Sequence, residues 1–280
     1  MNEQRSIVKP VEPGAVQRYA QAEIDMQVAT AKQYPRDVVR AQQHVTLLAT
    51  TDAATAAKCY YVLQRRGADG RPNTIYGPSV HLARIVVTSW GNMRAGSRIL
   101  AVEDRQVIAQ GLAWDLESNT AVQSEVTRRI TTRAGKRFGD DMIQVTSRAA
   151  CAIAYRNAIW DVVPRSVYDP AYEACLSLQR GEAGRDIAAS IDAALKWFMD
   201  TGGIERDEVI AALGVDSPAD VTADHIVQLR GISQAYAQGE VTDLRDALGL
   251  QSERLGNGWR NGTKDAETPP LLASVEQAKT

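Results

Sequence analysis

The spacing of apolar residues changes period along the chain, and the changes predict the order of the elements. Between positions 16 and 49 the spacing is helical, with Ile24, Val28 and Ala31 on one stripe. Tyr34-Pro35 divides this run, because proline cannot continue one helix but can open the next. Thr51-Asp52 offers a capping oxygen for a third helix, expected over 53–66 and stopped by Gly67. A short strand is expected over 74–76. Pro78-Ser79 then start a helix with Leu82, Ile85, Val86 and Ser89 inward and His81, Arg84 and Thr88 outward. Trp90-Gly91-Asn92 ends it.

From there the period is two. Positions 93–102, 105–114 and 121–132 read as strands, with turns at Glu103-Asp104 and Glu117-Ser118-Asn119. In the third strand Val122, Ser124, Val126, Arg128 and Ile130 share one face, and Gln123, Glu125, Thr127, Arg129 and Thr131 the other. The connections are too short for parallel crossovers, so an antiparallel meander is expected. Helical spacing returns over 142–163, with Met142, Val145, Ala149, Ala152, Ile153, Ile159 and Val163 toward the sheet. Asp140-Asp141 suit the positive end of that helix, and Pro164 stops it. Arg148 and Arg156 lie eight apart and share a stripe. Further helices are expected over 187–199, 206–213 and 223–238, with a last turn over 244–248.

The fold class is therefore α+β: an antiparallel three-stranded meander packed with long helices, plus a small all-helical C-terminal domain. The expected divisions are a flexible arm over 1–14, a core over 15–178, a Gly- and charge-rich linker over 179–186, the helical domain over 187–250 and a disordered tail over 251–280.

Composition adds limits. The chain is 44% hydrophobic and 24% charged, ordinary for a globular protein. The start has no apolar segment of a secretory signal, and no apolar run approaches the ~20 residues of a membrane span. Cys59, Cys151 and Cys175 are odd in number and far apart, which suits buried thiols in a reducing cytoplasm. His44, His81 and His225 are isolated and have no metal-ligand spacing. The expectation is a cytoplasmic protein with no membrane partner and no cofactor. Net charge changes the picture more. It is −2 overall, yet positions 58–165 hold 16 basic and 9 acidic residues against 16 and 25 in the rest. A basic segment within an acidic chain fits a polyanion partner and, equally, ordinary fluctuation of charge over solvated faces.

Catalytic motifs are missing from this segment. Ala134-Gly135-Lys136-Arg137 lacks the first glycine and the Ser/Thr of a phosphate-binding loop. Asp115, Glu117 and Glu125, with Lys136, form the one candidate set for a metal-dependent nuclease, and turn formation explains them as well. The positive signal is a run of cations, Arg128, Arg129, Arg133, Lys136, Arg137, Arg148 and Arg156, on a strand, a loop and a helix in succession. Tyr76, Trp90, Trp114, Phe138, Tyr155 and Trp160 lie in the same stretch, although Trp90 and Trp160 sit where core packing is the simpler role. Cations that track phosphates and rings that stack on bases are what single-stranded nucleic acid needs.

The segments IYGPSVHLARIVVTSWGNMRAGSRI and RFGDDMIQVTSRAACAIAYRNAIWDVVP flank the strands. This layout of helix, meander, basic loop and long helix resembles the core of phage single-strand annealing proteins of the RecT/Redβ kind. The segment LGVDSPADVTADHIVQLRGISQAYAQGE is similar to the small C-terminal module of phage recombination proteins. The resemblance spans positions 55–250 by pattern. It implies a non-enzymatic protein that binds single-stranded DNA and anneals complementary strands without ATP, in homologous recombination and repair. It also implies homo-oligomeric rings or helical filaments, and a C-terminal domain that meets a single-strand-binding protein or a phage exonuclease. The seven cations above would contact phosphates. Two other readings stay open: the metal-dependent nuclease, and a non-catalytic protein-binding adaptor.

Overall fold

The computed structural model describes residues 13–66, 72–132 and 134–250. The arm over 1–12, the stop at Gly67, the cation Arg133 and the tail over 251–280 lie outside the described residues. The fold is α+β, with helices packed on a three-stranded antiparallel sheet and a helical C-terminal region. No helix among the described residues is long and apolar enough to cross a membrane.

Two helices, α1 (Pro13–Gln33) and α2 (Val38–Ala49), flank the expected break at Tyr34-Pro35. Asp37 caps α2 by accepting from the Arg40 N–H. Pro13 and Gly14, expected in the arm, are the first residues of α1. Asp52 caps α3 (Ala53–Lys58), accepting from the Thr55 N–H at 2.7 Å. The helix expected over 53–66 is corrected here. It stops at Lys58, and Tyr60–Arg66 is a strand, β1, paired antiparallel with β2 (Pro72–Pro78). The cause is alternation: Tyr60, Val62 and Gln64 are buried, while Tyr61 and Leu63 are half-buried. The aromatic and β-branched residues suit that pleat.

Ser79 opens α4 (Val80–Trp90) by accepting from the His81 and Leu82 N–H groups. The meander follows as β3 (Met93–Val102), β4 (Gln106–Asp115) and β5 (Thr120–Arg129), in that order across the sheet. Alternate residues of β4 (Val107, Ala109, Gly111, Ala113 and Asp115) are buried, the first four of them against α5 (Asp140–Val162). A Cβ at Gly111 would collide with the Ala154 carbonyl, so helix and strand backbones touch there. The inward face of α5 differs from the expected one. It consists of Thr146, Ala149, Ala150, Ala154, Arg156, Ala158 and Ile159, while Val145 is 50% exposed. The close approach selects small residues, which hydrophobicity alone does not single out.

The expected linker over 179–186 is also corrected. Its residues through Arg185 form the end of one helix, α6 (Arg165–Arg185), with Gln179 and Ala183 buried. The Gln179 side chain donates to the Ala53 carbonyl at 2.6 Å. The C-terminal region then runs α7 (Ile187–Gly202), α8 (Arg206–Leu213), a 3-10 turn, α9 (Ala223–Ala237) and α10 (Leu244–Ala247). Its core is Phe198, Ile226, Leu229 and Ile232, joined by Tyr60 and Val62 of β1. A second core packs Val45, Leu82, Val86 and Ile159, and a third, smaller one fills the space between sheet and α5 with Val107, Ala109, Ile130 and Ala150.

One arginine ties the first two helices to the sheet. Arg36, in the α1–α2 link, has a side chain only 8% exposed. Its Nη1 and Nη2 each donate to Asp115 at 2.6 Å, its Nε donates to Glu117 at 2.8 Å, and the guanidinium lies 4.2 Å over the Trp90 ring. The Trp90 indole and the Glu117 and Ser118 N–H groups also donate to Asp115. Burial would raise the Glu117 carboxyl, but hydrogen bonds from Asn92 and Arg36 outweigh it and hold the group below the usual carboxylate range.

These interactions set two expectations for stability. Arg36→Met leaves the Asp115 carboxylate buried without its cation and should lower stability by about 3–5 kcal/mol in urea unfolding. Gly111→Ala pushes α5 off the sheet and should cost about 1–3 kcal/mol by the same measurement.

Candidate nucleic-acid interface

Three elements converge on an open groove of 720 Å³. Its walls are α4 (Val80, Arg84, Val87, Thr88), β3 (Ser97, Ile99) and α5 (Gln144, Ser147, Arg148, Cys151, Ala152, Tyr155). The helical period explains the convergence. Arg84 and Thr88 are one turn apart on the outward side of α4. Gln144, Ser147, Arg148, Cys151 and Tyr155 follow i, i+3, i+4, i+7 and i+11 along α5, a single stripe about 16 Å long.

The chemistry of the lining is one-sided. It holds two arginines, a phenol, several hydroxyl and amide groups and an apolar floor, and no carboxylate. Arg84 and Arg148 are both exposed. Burial raises the Tyr155 phenol, with Arg84 opposing, so the ring stays protonated. Beside the groove, burial first, then the charges of Lys58 and Arg84, push the His81 imidazole below its ordinary range. It is therefore neutral at pH 7, and the groove's positive charge rests on arginine.

The structure distributes the seven candidate cations unevenly. Arg148 lies in the groove. Lys136 and Arg137 are exposed on the loop that leads into α5, where Arg137 Nη1 donates to the Glu103 carbonyl at 2.5 Å, at the end of β3. Arg129 is exposed at the end of β5, on the sheet face turned away from α5. Arg128 and Arg156 turn inward to the segment after α9. Arg128 donates to the Gly239 and Glu240 carbonyls at 3.0 and 2.8 Å. Arg156, 6% exposed, pairs with the Glu240 carboxylate and lies 4.8 Å over the Tyr61 ring. Burial pushes the Glu240 carboxyl up, and the two arginines pull it back only in part. Arg156 therefore lies on the buried inward face of α5 rather than on one stripe with the exposed Arg148, and its guanidinium is occupied within the protein.

The aromatics divide in the same way. Trp90 is buried under Arg36, and Trp160 stacks on Tyr168 with centroids 4.3 Å apart. Phe138 packs against the small core beneath α5. Tyr76 is 43% exposed, away from the groove lining. Trp114 is half-buried on the far face of the sheet, its indole donating to Asn119. Tyr155 alone of the six lines the groove. Arg84 is legible in the sequence as an outward residue but carries no signal of its own. Only the meeting of α4 with α5 makes it part of a site.

The nuclease carboxylates are not assembled. Asp115 and Glu117 are bound by Arg36. Glu125 faces Gln110, five residues along the strand and about 17 Å from the Asp115 position. Among the described residues no group of three His, Cys, Asp or Glu side chains is placed to hold a metal ion.

No protein-family model, curated protein or solved structure matches the chain.

The two arginines of α5 should separate in the laboratory. Arg156→Gln strands the Glu240 carboxylate and should lower stability by about 3 kcal/mol. Arg148→Gln removes an exposed side chain and should change stability by less than about 0.5 kcal/mol. Paired urea unfolding curves check both.

Proposed function

We propose that the protein binds single-stranded DNA in the α4–β3–α5 groove and anneals complementary strands without ATP, acting by binding rather than by turnover. The observation that carries this reading is the lining of the groove: Arg84 and Arg148 on opposite walls, Tyr155 between polar groups, and no carboxylate. The arginines suit the phosphates as fixed, always-charged donors. The Tyr155 ring suits stacking on a base, which tolerates any sequence. Lys136 and Arg137 are exposed on the loop before α5, ahead of the acidic first turn of Asp140 and Asp141. An annealing protein has to leave base edges accessible, and a shallow groove that holds the backbone and one ring face does so. The resemblance to phage annealing proteins supports the same reading, with recombination as the setting.

The nuclease reading receives less support, because its two nearest carboxylates are saturated by Arg36.

Fluorescence anisotropy with an unstructured oligonucleotide tests the site. Arg84→Glu and Arg148→Glu should each weaken binding at least tenfold. Each should also flatten the slope of log affinity against log salt by about 0.7 for every phosphate left without its cation. The wild-type chain should speed annealing of complementary oligonucleotides with no nucleotide present. Unchanged affinity and slope in both variants would remove the groove from consideration.

A further inference from the structure

The three cysteines are far apart in the sequence, but the fold brings two of them to one place. Cys59 closes α3, and Cys175 lies on α6, 116 positions later. Both are fully buried. Both thiols reach one acceptor, the Ala49 carbonyl at the end of α2, which lies 3.4 Å from Cys175 Sγ and 4.0 Å from Cys59 Sγ. A hydrogen bond between the two thiols, and then burial, push the Cys59 thiol far above its ordinary range. In the closed fold Cys59 therefore stays protonated and unreactive. The third cysteine, Cys151, lines the groove instead. Cys59 also stands at a corner of the fold. Its carbonyl accepts from the Ser79 N–H at 3.0 Å, and the Lys58 carbonyl accepts from the Ser79 hydroxyl at 2.5 Å. Ser79 caps α4, one wall of the groove.

We propose that Cys59 and Cys175 are a redox latch: a peroxide joins them as a disulfide, and the bond locks α6 to the corner from which β1 and α4 start. Neither sulfur meets solvent in the closed fold, so oxidation begins when the α3–α6 joint opens locally. One sulfur, freed of its proton, then attacks a peroxide oxygen. The O–O bond breaks, leaving a sulfenic acid, and the departing oxygen takes up the proton as water. The second sulfur attacks the sulfenic sulfur, the S–O bond breaks, and the second thiol proton leaves with that oxygen as water. Two thiols lose two electrons between them, and one peroxide is reduced to two waters. The second step needs the other thiol at hand, and the shared Ala49 carbonyl marks that closeness. An S–S bond is about 2.05 Å long, so both thiols leave the carbonyl and turn toward each other. The latch does not depend on the groove or its ligand.

Hydrogen peroxide treatment of the full chain carrying Cys151→Ser tests the latch, since only the paired thiols then remain. Mass-spectrometric peptide mapping without reductant should find Cys59 joined to Cys175 within one chain. Thiols titrated in denaturant should disappear on oxidation and return with dithiothreitol. The thermal unfolding midpoint of the oxidised chain should rise by at least about 5 °C, because the bond closes a loop of more than a hundred residues. Cys59→Ser and Cys175→Ser, each in the same background, should show neither the cross-link nor the rise. The mapping is read on the parent chain, so it stands even where a serine at either buried position weakens folding. Thiols that stay unpaired, pair between chains, or pair without raising the midpoint overturn the proposal.

Discussion

The closeness of α5 to the sheet is the constraint on which the rest of this structure depends. At Gly111 the strand has no side chain, and the Ala154 carbonyl occupies the space a Cβ would take. Alanines at 149, 150, 154 and 158 keep the helix down along its length. A helix seated that low cannot cover the sheet edge with bulk. It leaves β3 beside it, with Ser97 and Ile99 uncovered, and α4 rises on the far side. The groove is the space these three elements leave. A large residue at any of these close-packed positions would lift α5 and change the groove's width before it changed its chemistry.

Arginine serves two opposed ends in this chain. Arg36 joins residues 79 apart in sequence, and Arg156 joins residues 84 apart. Buried ion pairs of this kind add little net stability over apolar packing, but once built they penalise any arrangement that leaves one partner alone. Arg36 therefore fixes how the first two helices sit against the β4–β5 turn. Arg128 and Arg156 fix how the segment after α9 closes on the sheet. Each of these guanidiniums is enclosed by acceptors of the protein itself. Arg84 and Arg148 line the groove without such enclosure, and that separates the exposed cations from the structural ones more clearly than position along the chain does.

How much of this is legible in the sequence depends on whether the deciding partner is local. Strand β3 and helix α8 fall at the expected residues because their limits are set locally, β3 between Gly91-Asn92 and the Glu103-Asp104 turn and α8 by helical spacing over eight residues. The residues of β5 divide between two faces as expected, and the structure turns the Arg128 face inward and the Arg129 face outward, although both arginines were expected to meet phosphates. Strand β1 reads as helix in the sequence because Ala53–Lys58 begins as a good one. What ends that helix is pairing with β2 and burial of Tyr60 and Val62 against α9, whose Val227 carbonyl accepts from the Tyr60 hydroxyl across 167 positions. The glycines at 181 and 184 suggest a linker, yet burial of Gln179 and Ala183 outweighs their weak helix propensity. For the site, the outward placement of Arg84 and Arg148 follows from period. The occupation of Arg156 does not, because Glu240 lies in an unrelated part of the sequence and nothing in either neighbourhood announces it.

The acidic remainder of the chain bears on the site through range rather than through net charge. At physiological salt, fields between exposed charges fade beyond about 8 Å. On the proposed reading, a polyanion at the groove would respond to Arg84 and Arg148, and hardly to the carboxylates of the C-terminal helices. An overall charge of −2 is thus compatible with the proposed binding at one groove. The lack of carboxylates in the groove lining is the local counterpart of that division, since a single acid between the two arginines would cancel much of the field they create.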